Sequence, residues 1–505
     1  MKTNSLEFAN RLIKYLLLSG AILYVAVYLF IAVSRIRYPF VLEWIEGGML
    51  SEVKRILAGE KLYVKPSLDF ITFIYAPLYF YVSAFAAKIL GEGFMPLRLV
   101  SLLSSFGCFS VIYLFVRRET GSTFPAVLAS CLFSATFLIG GSWFDIAKSD
   151  SLFLFLLLIS LYFIKFGTSA KSYILAGVFI SLSFLTKQTA LVIFLPLALY
   201  CIYLNRRYAI LFIGTTAILI GGSTLLLNYI HNGWYYYYVF ALPGQRPDPF
   251  LKEMYLGFWS EDLMTPLPIA CAMAVFYLIL QFFNQKKNDF VFYLLAAAAM
   301  IGSSYIVRLH DGGYNNVLLP AYAFISILFG LALHALFELV RSASRKTLIE
   351  IFILLLCIVQ FSLLRYNPFS QIPSQKDAEA GKGVVTAISR IEGEIFIPCC
   401  DYLSSMAGKR SYAHVVPSND IILKGSEGKI KDNLIKEITE PIREKKYSAV
   451  IIGTHPWVFT DILEKYYVKK QVLIDDKTAF FPVTGMKTRP EFIYVPKNDA
   501  AKTYN

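Results

Sequence analysis

The sequence is short of charge, since only 16% of its 505 residues are Asp, Glu, Lys or Arg. Average proteins carry about 25% charged residues. Hydrophobic residues make up 56% of the chain, more than a soluble enzyme usually contains. The composition therefore excludes a soluble enzyme and indicates a membrane protein with several spans.

Cysteine is scarce as well, with seven residues in the chain. All but two of them lie inside apolar runs, where we expect them to pack as small hydrophobic residues. Cys399 and Cys400 lie in a polar region, but two adjacent cysteines suit neither an ordinary disulfide nor a zinc site with Cys-x-x-Cys spacing. The cysteines therefore indicate neither a disulfide framework nor a metal centre.

Acidic residues are fewer than basic ones, which gives a net charge of +13. The lysines and arginines lie mostly beside apolar runs, where they set membrane orientation and contact anionic lipid headgroups. We therefore predict membrane lipids, and no nucleic acid, as partners. No small-residue cleavage site follows the first apolar run, so no cleavable signal peptide is expected.

Apolar blocks recur along the chain, each of roughly the 17 to 25 residues that a helix needs to cross the hydrocarbon core. Transmembrane β-strands would be shorter and would alternate in polarity. The pattern predicts an all-α polytopic membrane bundle of about eleven transmembrane helices. Its spans lie near 12–34, 99–116, 124–143, 151–166, 173–186, 189–204, 209–230, 265–284, 290–307, 316–338 and 347–364.

The composition changes after about Tyr366. Residues beyond this point are charged and rich in turn formers, with β-type runs at 393–398 and 447–453 and a helical pattern at 432–445. We therefore predict a transmembrane catalytic domain over residues 1–366 and a small soluble α/β domain over residues 367–505.

Basic residues are distributed unequally between alternate loops. One set of loops is rich in them, whereas the opposite set contains only Lys148, Lys187, Arg246, Lys252 and Arg308. The positive-inside rule places the richer set in the cytoplasm. It therefore places Asp145, Asp150 and the C-terminal domain outside.

The apolar run from Phe70 to Leu90 leaves two topologies open. If it lies along or dips into the outer leaflet, residues 35–98 form a large external first loop with juxtamembrane helices, and eleven spans follow from a cytoplasmic amino terminus. If it crosses the membrane, Glu43 and Glu46 face the cytoplasm. Charge counting alone does not decide between the two.

Four carboxylates stand at the ends of predicted spans: Glu43 and Glu46 after the first, and Asp145 and Asp150 before the fourth. Charges near membrane depth are unfavourable and often functional, although any one of these acids alone could simply be solvated. On the first topology all four lie on one side. We then expect the two acidic segments to meet at one membrane surface as a catalytic site.

Basic residues at the same predicted side could bind a phosphate. Lys187 lies in the middle of the apolar stretch from Tyr173 to Leu204, at a tight connection between two short helices. Arg308 and His310 lie at another span end, where the arginine suits a phosphate through its guanidinium and the histidine is equally suited to packing.

An ordered set of motifs resembles a known family. After the acidic first loop come GEKLYVKPSLDFITFIYAPLYFY, then GEGFMPLRLVS, KSDSLFLFLLLISLYF, LTKQTAL and a Tyr-Asn…Leu-Pro-Ala-Tyr span. This order resembles the GT-C superfamily of integral-membrane glycosyltransferases, and within it the bacterial family 39 type. That type is related to protein O-mannosyltransferases and to the aminoarabinose transferase that modifies lipid A.

The resemblance implies an inverting glycosyltransferase that uses a sugar linked to polyprenyl phosphate and acts on the outer side of the cell membrane. The acceptor would be a lipid, a glycan or a protein. The resemblance favours the topology in which the run from Phe70 to Leu90 does not cross. A divalent metal is possible, but we expect no required cofactor.

The resemblance also implies roles for single residues. The first-loop acid of the family often stands in an Asp-Glu pair, and here Glu46 matches the second member while Ile45 replaces the first. We expect Glu46 to be the base, with Glu43 as the alternative and Asp150 in support. The remaining candidates bind substrate: Asp145, Lys187, Arg308, His310, Arg98 and Tyr314.

Two other functions compete with this one. A lipid or glycolipid transporter would use buried charges as a relay, but the sequence has no repeated halves. An oligosaccharyltransferase would carry a Trp-Trp-Asp type motif, whereas Trp44 and Trp457 are isolated here.

Overall fold

The computed structural model describes residues 2–245, 251–284, 286–310 and 312–497, so that Arg246 lies outside the described residues. The main helices are Lys2–Arg35 (α1), Glu46–Leu57 (α2), Leu78–Leu90 (α3), Phe94–Thr120 (α4), Thr123–Ala135 (α5), Asp150–Phe166 (α6), Ala170–Phe184 (α7), Ala190–Leu204 (α8), Arg206–Ile230 (α9), Pro268–Phe283 (α10), Lys287–Arg308 (α11), Leu319–Leu339 (α12), Lys346–Leu363 (α13), Gln375–Ser389 (α14), Asp401–Met406 (α15), Val415–Ile422 (α16), Lys429–Arg443 (α17) and Thr460–Tyr466 (α18). Single helical turns and two π-helical segments, Tyr237–Ala241 and Phe258–Met264, join some of them.

Six helices in the described ranges are long and apolar enough to cross a membrane, or seven if the bent pair Met254–Met264 and Pro268–Phe283 is one span. The chain is therefore a multi-pass membrane protein. Each of the eleven predicted spans contains a helix, but some of these helices are short. The helix α5 ends at Ala135 rather than near residue 143, and its 13 residues cover about 20 Å at 1.5 Å per residue.

The chain divides into two compact units, which are described separately. The bundle unit comprises Met1–Ser34, Leu99–Ser223 and Pro249–Phe369, and the sheet unit comprises Arg35–Arg98, Thr224–Asp248 and Ser370–Asn505. The first loop therefore belongs to the same compact unit as the C-terminal residues. The predicted division between residues 366 and 367 stays a prediction.

The bundle unit is organised around α12, a helix that is apolar on all sides. Buried residues make up 94% of its apolar window, as expected for a helix with neighbours all round. It packs against α5, α10 and α11. A side chain at Gly330 would come within 2.8 Å of Ala129, so the glycine permits the close approach of α12 to α5.

The sheet unit contains a four-stranded mixed sheet of Ile395–Phe396 (β1), Ala449–Gly453 (β2), Tyr467–Val472 (β3) and Pro490–Pro496 (β4), in the order β1-β2-β4-β3. The pair β1 and β2 is parallel, and β4 pairs antiparallel with β2 and with β3. The strand β2 is buried throughout because every residue in AVIIG is small or apolar. The predicted β-type runs contain β1 and β2, and the predicted helical pattern lies largely within α17.

Candidate active site

Glu46 is the first residue of α2 and forms a buried ion pair with Arg98 in the sheet unit. Arg98 Nη2 lies 2.7 Å from Glu46 Oε2, and Arg98 Nε donates to Oε1 at 3.1 Å. The N–H of Leu42 also donates to Oε2, at 2.6 Å. Both side chains are fully buried. The carboxylate therefore has hydrogen bonds to both of its oxygens.

The guanidinium of Arg98 holds the first loop in shape through backbone carbonyls. Its Nη1 donates to the carbonyls of Tyr38 at 2.6 Å and Arg35 at 3.3 Å, and its Nη2 donates to the carbonyl of Phe40 at 2.6 Å. With the two bonds to Glu46, these contacts occupy all five N–H donors of an arginine. In this conformation Arg98 has no donor left for a phosphate.

Glu43 lies just before α2 and is tied to the C-terminal part of the sheet unit. It forms an isolated β-bridge with Thr484, whose N–H donates to the carbonyl of Leu42 at 3.1 Å. Gly485 has a φ of +74°, and a side chain there would lie 2.7 Å from Glu43 Oε1. A glycine is needed for both reasons, so this turn positions the carboxylate.

Asp150 and Lys187, two predicted site residues of the bundle unit, form an ion pair with each other. Asp150 opens α6, where a helix N-terminus stabilises a carboxylate. Lys187 lies in the tight turn between α7 and α8, as predicted, and its Nζ is 2.6 Å from Asp150 Oδ1. Asn316 Nδ2 donates to the same oxygen at 2.9 Å.

The ammonium of Lys187 retains hydrogen-bonding capacity. Its contact with Asp150 uses one of three N–H donors, and its other contact among the described residues is the ring of Phe153, 5.8 Å away. The Lys187 side chain is 13% exposed. Lys187 is therefore anchored by Asp150 and can still donate to a second acceptor.

Arg308, at the end of α11, pairs with Asp262 rather than with a predicted site residue. Its Nε and Nη2 donate to the two Asp262 oxygens at 2.7 and 3.1 Å, and its Nη1 donates to the carbonyl of Gly313 at 2.5 Å. The bidentate contact fixes the guanidinium plane. Two of its five N–H donors remain for another ligand.

The other predicted residues of the bundle unit lie in the polar turns beside these helices. Asp145 is buried in the turn that precedes α6. His310 is half-buried after α11, and Tyr314, which is 39% exposed, lies just before the turn Asn315–Leu318. The roles predicted for these three residues stay predictions.

Two residues of this arrangement were missed by the sequence reasoning. Asp262 lies in a π-helical segment, and Asn316 lies in the Tyr-Asn-Asn sequence before α12. Both are polar residues next to a long apolar helix, which is the same signal that drew attention to Asp150. Within the described ranges no three His, Cys, Asp or Glu side chains are grouped so as to hold a metal ion, and the cofactor expectation stays a prediction.

Part of the chain matches the model of a known protein family. Residues 75–230 match the model of the dolichyl-phosphate-mannose-protein mannosyltransferase family, a segment that includes Arg98, Asp145, Asp150 and Lys187. A search of curated protein sequences gives no match.

Solved structures resemble the chain over nearly its full length. The apo structure of ArnT from Cupriavidus metallidurans matches with a TM-score of 0.59 and 13% identity, over 94% of this chain and 97% of that one. The same protein bound to undecaprenyl phosphate matches with a TM-score of 0.58 and 12% identity, over 96% and 99%.

An oligosaccharyltransferase from Archaeoglobus fulgidus, in complex with zinc and sulfate, matches with a TM-score of 0.52 and 11% identity, over 94% of this chain and 73% of that one. The predicted resemblance is therefore confirmed: the chain has the fold of ArnT, and residues 75–230 carry the sequence pattern of the dolichyl-phosphate-mannose-protein mannosyltransferase family.

Proposed function

We propose that the protein is an inverting glycosyltransferase that moves a sugar from a polyprenyl-phosphate donor to an acceptor hydroxyl. The observation that carries the proposal is the match to ArnT over nearly the full length of both chains, in a fold of which one solved example holds undecaprenyl phosphate. The family model over residues 75–230 supports the same class of donor. The reaction would take place on the outer face of the cell membrane, with eleven spans and no required cofactor.

In this proposal Lys187 binds the phosphate of the donor. The C–O bond between the sugar and the phosphate breaks, its electron pair leaves with the phosphate, and an ammonium stabilises that charge best where water is excluded. The open donors of Lys187 meet this requirement, and Asp150 acts as a positioning residue that holds the ammonium in place. Arg308, held by Asp262, is the second candidate for the phosphate.

A first-loop carboxylate accepts the proton of the acceptor hydroxyl as its oxygen attacks the anomeric carbon. Sequence reasoning favoured Glu46 for this role, with Glu43 as the alternative. The contacts of Glu46 argue for a structural role, because Arg98 and the N–H of Leu42 already occupy its oxygens. We therefore assign the base to Glu43 and the shape of the loop to Glu46.

The test is turnover of purified protein in detergent or vesicles, with a panel of polyprenyl-phosphate sugars and a membrane extract as the source of acceptor. The wild type should release free polyprenyl phosphate. Glu43→Gln should lower turnover about 100-fold to 10,000-fold with an unchanged Tm, because the amide preserves shape and removes the base. Glu379→Gln, on an exposed face of α14, is the matched control.

Three results would contradict the proposal. Near-normal turnover in Glu43→Gln would move the base to another residue. Labelling of a Ser51→Cys variant by an impermeant thiol reagent only after permeabilisation would place the first loop in the cytoplasm. No release from any donor, together with movement of a lipid-linked sugar across vesicles, would favour a transporter.

A further inference from the structure

A cavity of the sheet unit lies between α2 and the segment that contains α15. Its volume is about 660 Å³, which falls within the usual range for small-molecule pockets. Gly48, Ser51 and Glu52 of α2 line one side, and Asp401, Tyr402 and Ser405 line the other. None of these residues belongs to the catalytic proposal above.

The Gly47-Gly48 pair of α2 makes room for the aromatic walls of this cavity. A side chain at Gly47 would lie 2.6 Å from the ring of Tyr402, and one at Gly48 would lie 2.3 Å from the ring of Phe73. Both distances are below any real contact of a Cβ atom. The glycines therefore allow the rings of Tyr402 and Phe73 to rest against the helix backbone.

Two buried carboxyl groups line the cavity, and each has one oxygen that accepts no hydrogen bond from the described residues. Glu52 Oε1 accepts the N–H of Phe73 at 2.8 Å, and Asp401 Oδ2 accepts the hydroxyl of Ser51 at 2.5 Å. Glu52 Oε2 and Asp401 Oδ1 have no hydrogen-bond partner among the described residues, although the two side chains are only 1% and 2% exposed. A buried polar atom without a partner is rare and unfavourable, and a ligand that donates hydrogen bonds would satisfy both.

The other charged side chains of the lining, Lys54, Arg55, Glu60 and Asp69, have polar partners. Arg55 pairs with Glu60 at 2.6 Å. Asp69, which lines the cavity, pairs with Arg410 at 2.7 Å. Lys54, whose Nζ donates to Ser405 Oγ at 2.8 Å, is the basic counterpart of Asp401 on this lining.

The groups that line the cavity select the class of ligand. An anion would meet the carboxyl groups of Asp401 and Glu52 and is disfavoured. A cation would meet Lys54 and Arg55 on the same lining, and the test below includes one. A purely apolar ligand would leave the two carboxyl oxygens unsatisfied. A neutral ligand with several hydroxyl groups donates to carboxyl oxygens, and its C–H faces pack on the rings of Phe73 and Tyr402.

We propose that this cavity binds a neutral sugar residue, with Glu52 and Asp401 accepting hydrogen bonds from its hydroxyl groups. If the proposed function holds, on which this step rests, the bound sugar belongs to the acceptor. The acceptor is then a glycan or a glycolipid rather than an unmodified protein.

The test is saturation-transfer NMR on the full-length protein in detergent, with methyl glycosides of mannose, glucose, galactose and N-acetylglucosamine as probes. At least one glycoside should receive saturation. Ser405→Trp should abolish the signal or weaken binding at least tenfold, because an indole at this exposed rim position fills the cavity without burying a charge. Ser389→Trp, at an exposed site outside the cavity, should bind as the wild type does.

Asp401→Asn is the second variant and should also weaken binding at least tenfold, with a Tm measured in parallel to exclude unfolding. Binding that survives both substitutions, or no binding by any of the four glycosides, would overturn the proposal. Binding of methylamine or inorganic phosphate that Ser405→Trp abolishes would overturn the neutral class.

Donor measurements separate this proposal from the proposed function. Ser405→Trp should bind polyprenyl phosphate as the wild type does and should lose transfer to the acceptor. A wild-type protein that binds a glycoside in the cavity but does not bind or turn over any polyprenyl-phosphate donor would refute the proposed transferase while leaving the sugar site in place.

Discussion

The ion pair Glu46–Arg98 is fully buried and the pair Asp150–Lys187 is nearly so, yet the two pairs differ in how many N–H donors they leave open. Every N–H of Arg98 has an acceptor in the protein, and four of its contacts hold one short stretch of first loop together. Lys187 gives one N–H to Asp150 and retains two. A buried cation whose donors are all used maintains a fold, whereas one that is anchored and still has open donors can bind a ligand.

The largest expected effect concerns the stability that the Glu46–Arg98 pair provides. Arg98→Met leaves the Glu46 carboxylate buried without its cation and should destabilise the sheet unit by about 3 to 5 kcal/mol. Thermal unfolding in detergent measures the loss. The matched control is Arg410→Met. Arg410 pairs with Asp69, and both side chains are more than half exposed. Loss of this pair should lower the free energy of unfolding by about 0 to 1 kcal/mol.

Equal losses in these two variants would break the comparison, because they would mean that burial and carbonyl contacts add nothing to the Glu46–Arg98 pair. Glu46→Gln should also be destabilised. A Glu46→Gln protein with normal stability but no turnover would return the base to Glu46.

The next effect concerns the Asp150–Lys187 pair and is measured as the stabilisation of the protein by bound lipid. Polyprenyl phosphate at 100 times its Kd should stabilise the wild type by about 2.7 kcal/mol. Lys187→Met should bind the lipid about 10-fold to 100-fold more weakly, because a hydrogen bond to a charged group contributes about 1.5 to 3 kcal/mol. The measurement is the Tm shift on adding lipid, which separates binding from basal stability.

Lys165→Met is the control for Lys187→Met. Lys165 forms ion pairs with the partly exposed Asp289 and Glu119 in the same unit, so its loss should lower the basal Tm while the lipid-induced shift persists. If both variants keep the full shift, Lys187 is structural and the contrast with Arg98 disappears.

The sequence predicted the positions of the long helices well because their signal is local. Twenty apolar residues and their flanking charges are visible without any partner. Lys187 was also predictable, since one lysine in the middle of a long apolar stretch indicates a break between two helices. The break lies between Phe184 and Ala190, as expected.

The partners of the site residues were not predictable, because pairing over long sequence separations leaves no local signal. Arg98 was predicted to bind substrate, and nothing near it in sequence indicates Glu46, 52 residues away. Likewise the turn at Thr484 and Gly485 gives no sign in the sequence that it positions Glu43. The strands β3 and β4 were also not predicted, and β3 carries polar residues such as Lys469 and Lys470 on an exposed edge.

Glu52 extends the comparison to a carboxyl that is buried without an ion pair. Burial raises its pKa well above the usual 4.5, Asp401 raises it further, and the N–H of Phe73 and the charge of Arg55 oppose the shift. A raised pKa in the folded state means that the folded protein binds the proton more tightly than the unfolded chain does. The resulting stabilisation is complete below about pH 4.5 and is lost as the pH rises through the folded-state pKa.

Glu52→Gln should remove this pH dependence, which gives the smallest of these effects. Between pH 5 and the folded-state pKa, the stability of the wild type relative to Glu52→Gln should fall by up to about 1.4 kcal/mol per pH unit. Unfolding midpoints at closely spaced pH values measure the difference, and Glu379→Gln controls for removing an exposed carboxyl. Parallel profiles for wild type and Glu52→Gln would mean that Glu52 is ionised in the folded protein. A bound sugar that donates to Glu52 Oε2 should favour the ionised carboxylate and flatten the wild-type profile, so repeating the series with the glycoside that binds connects the titration to the cavity.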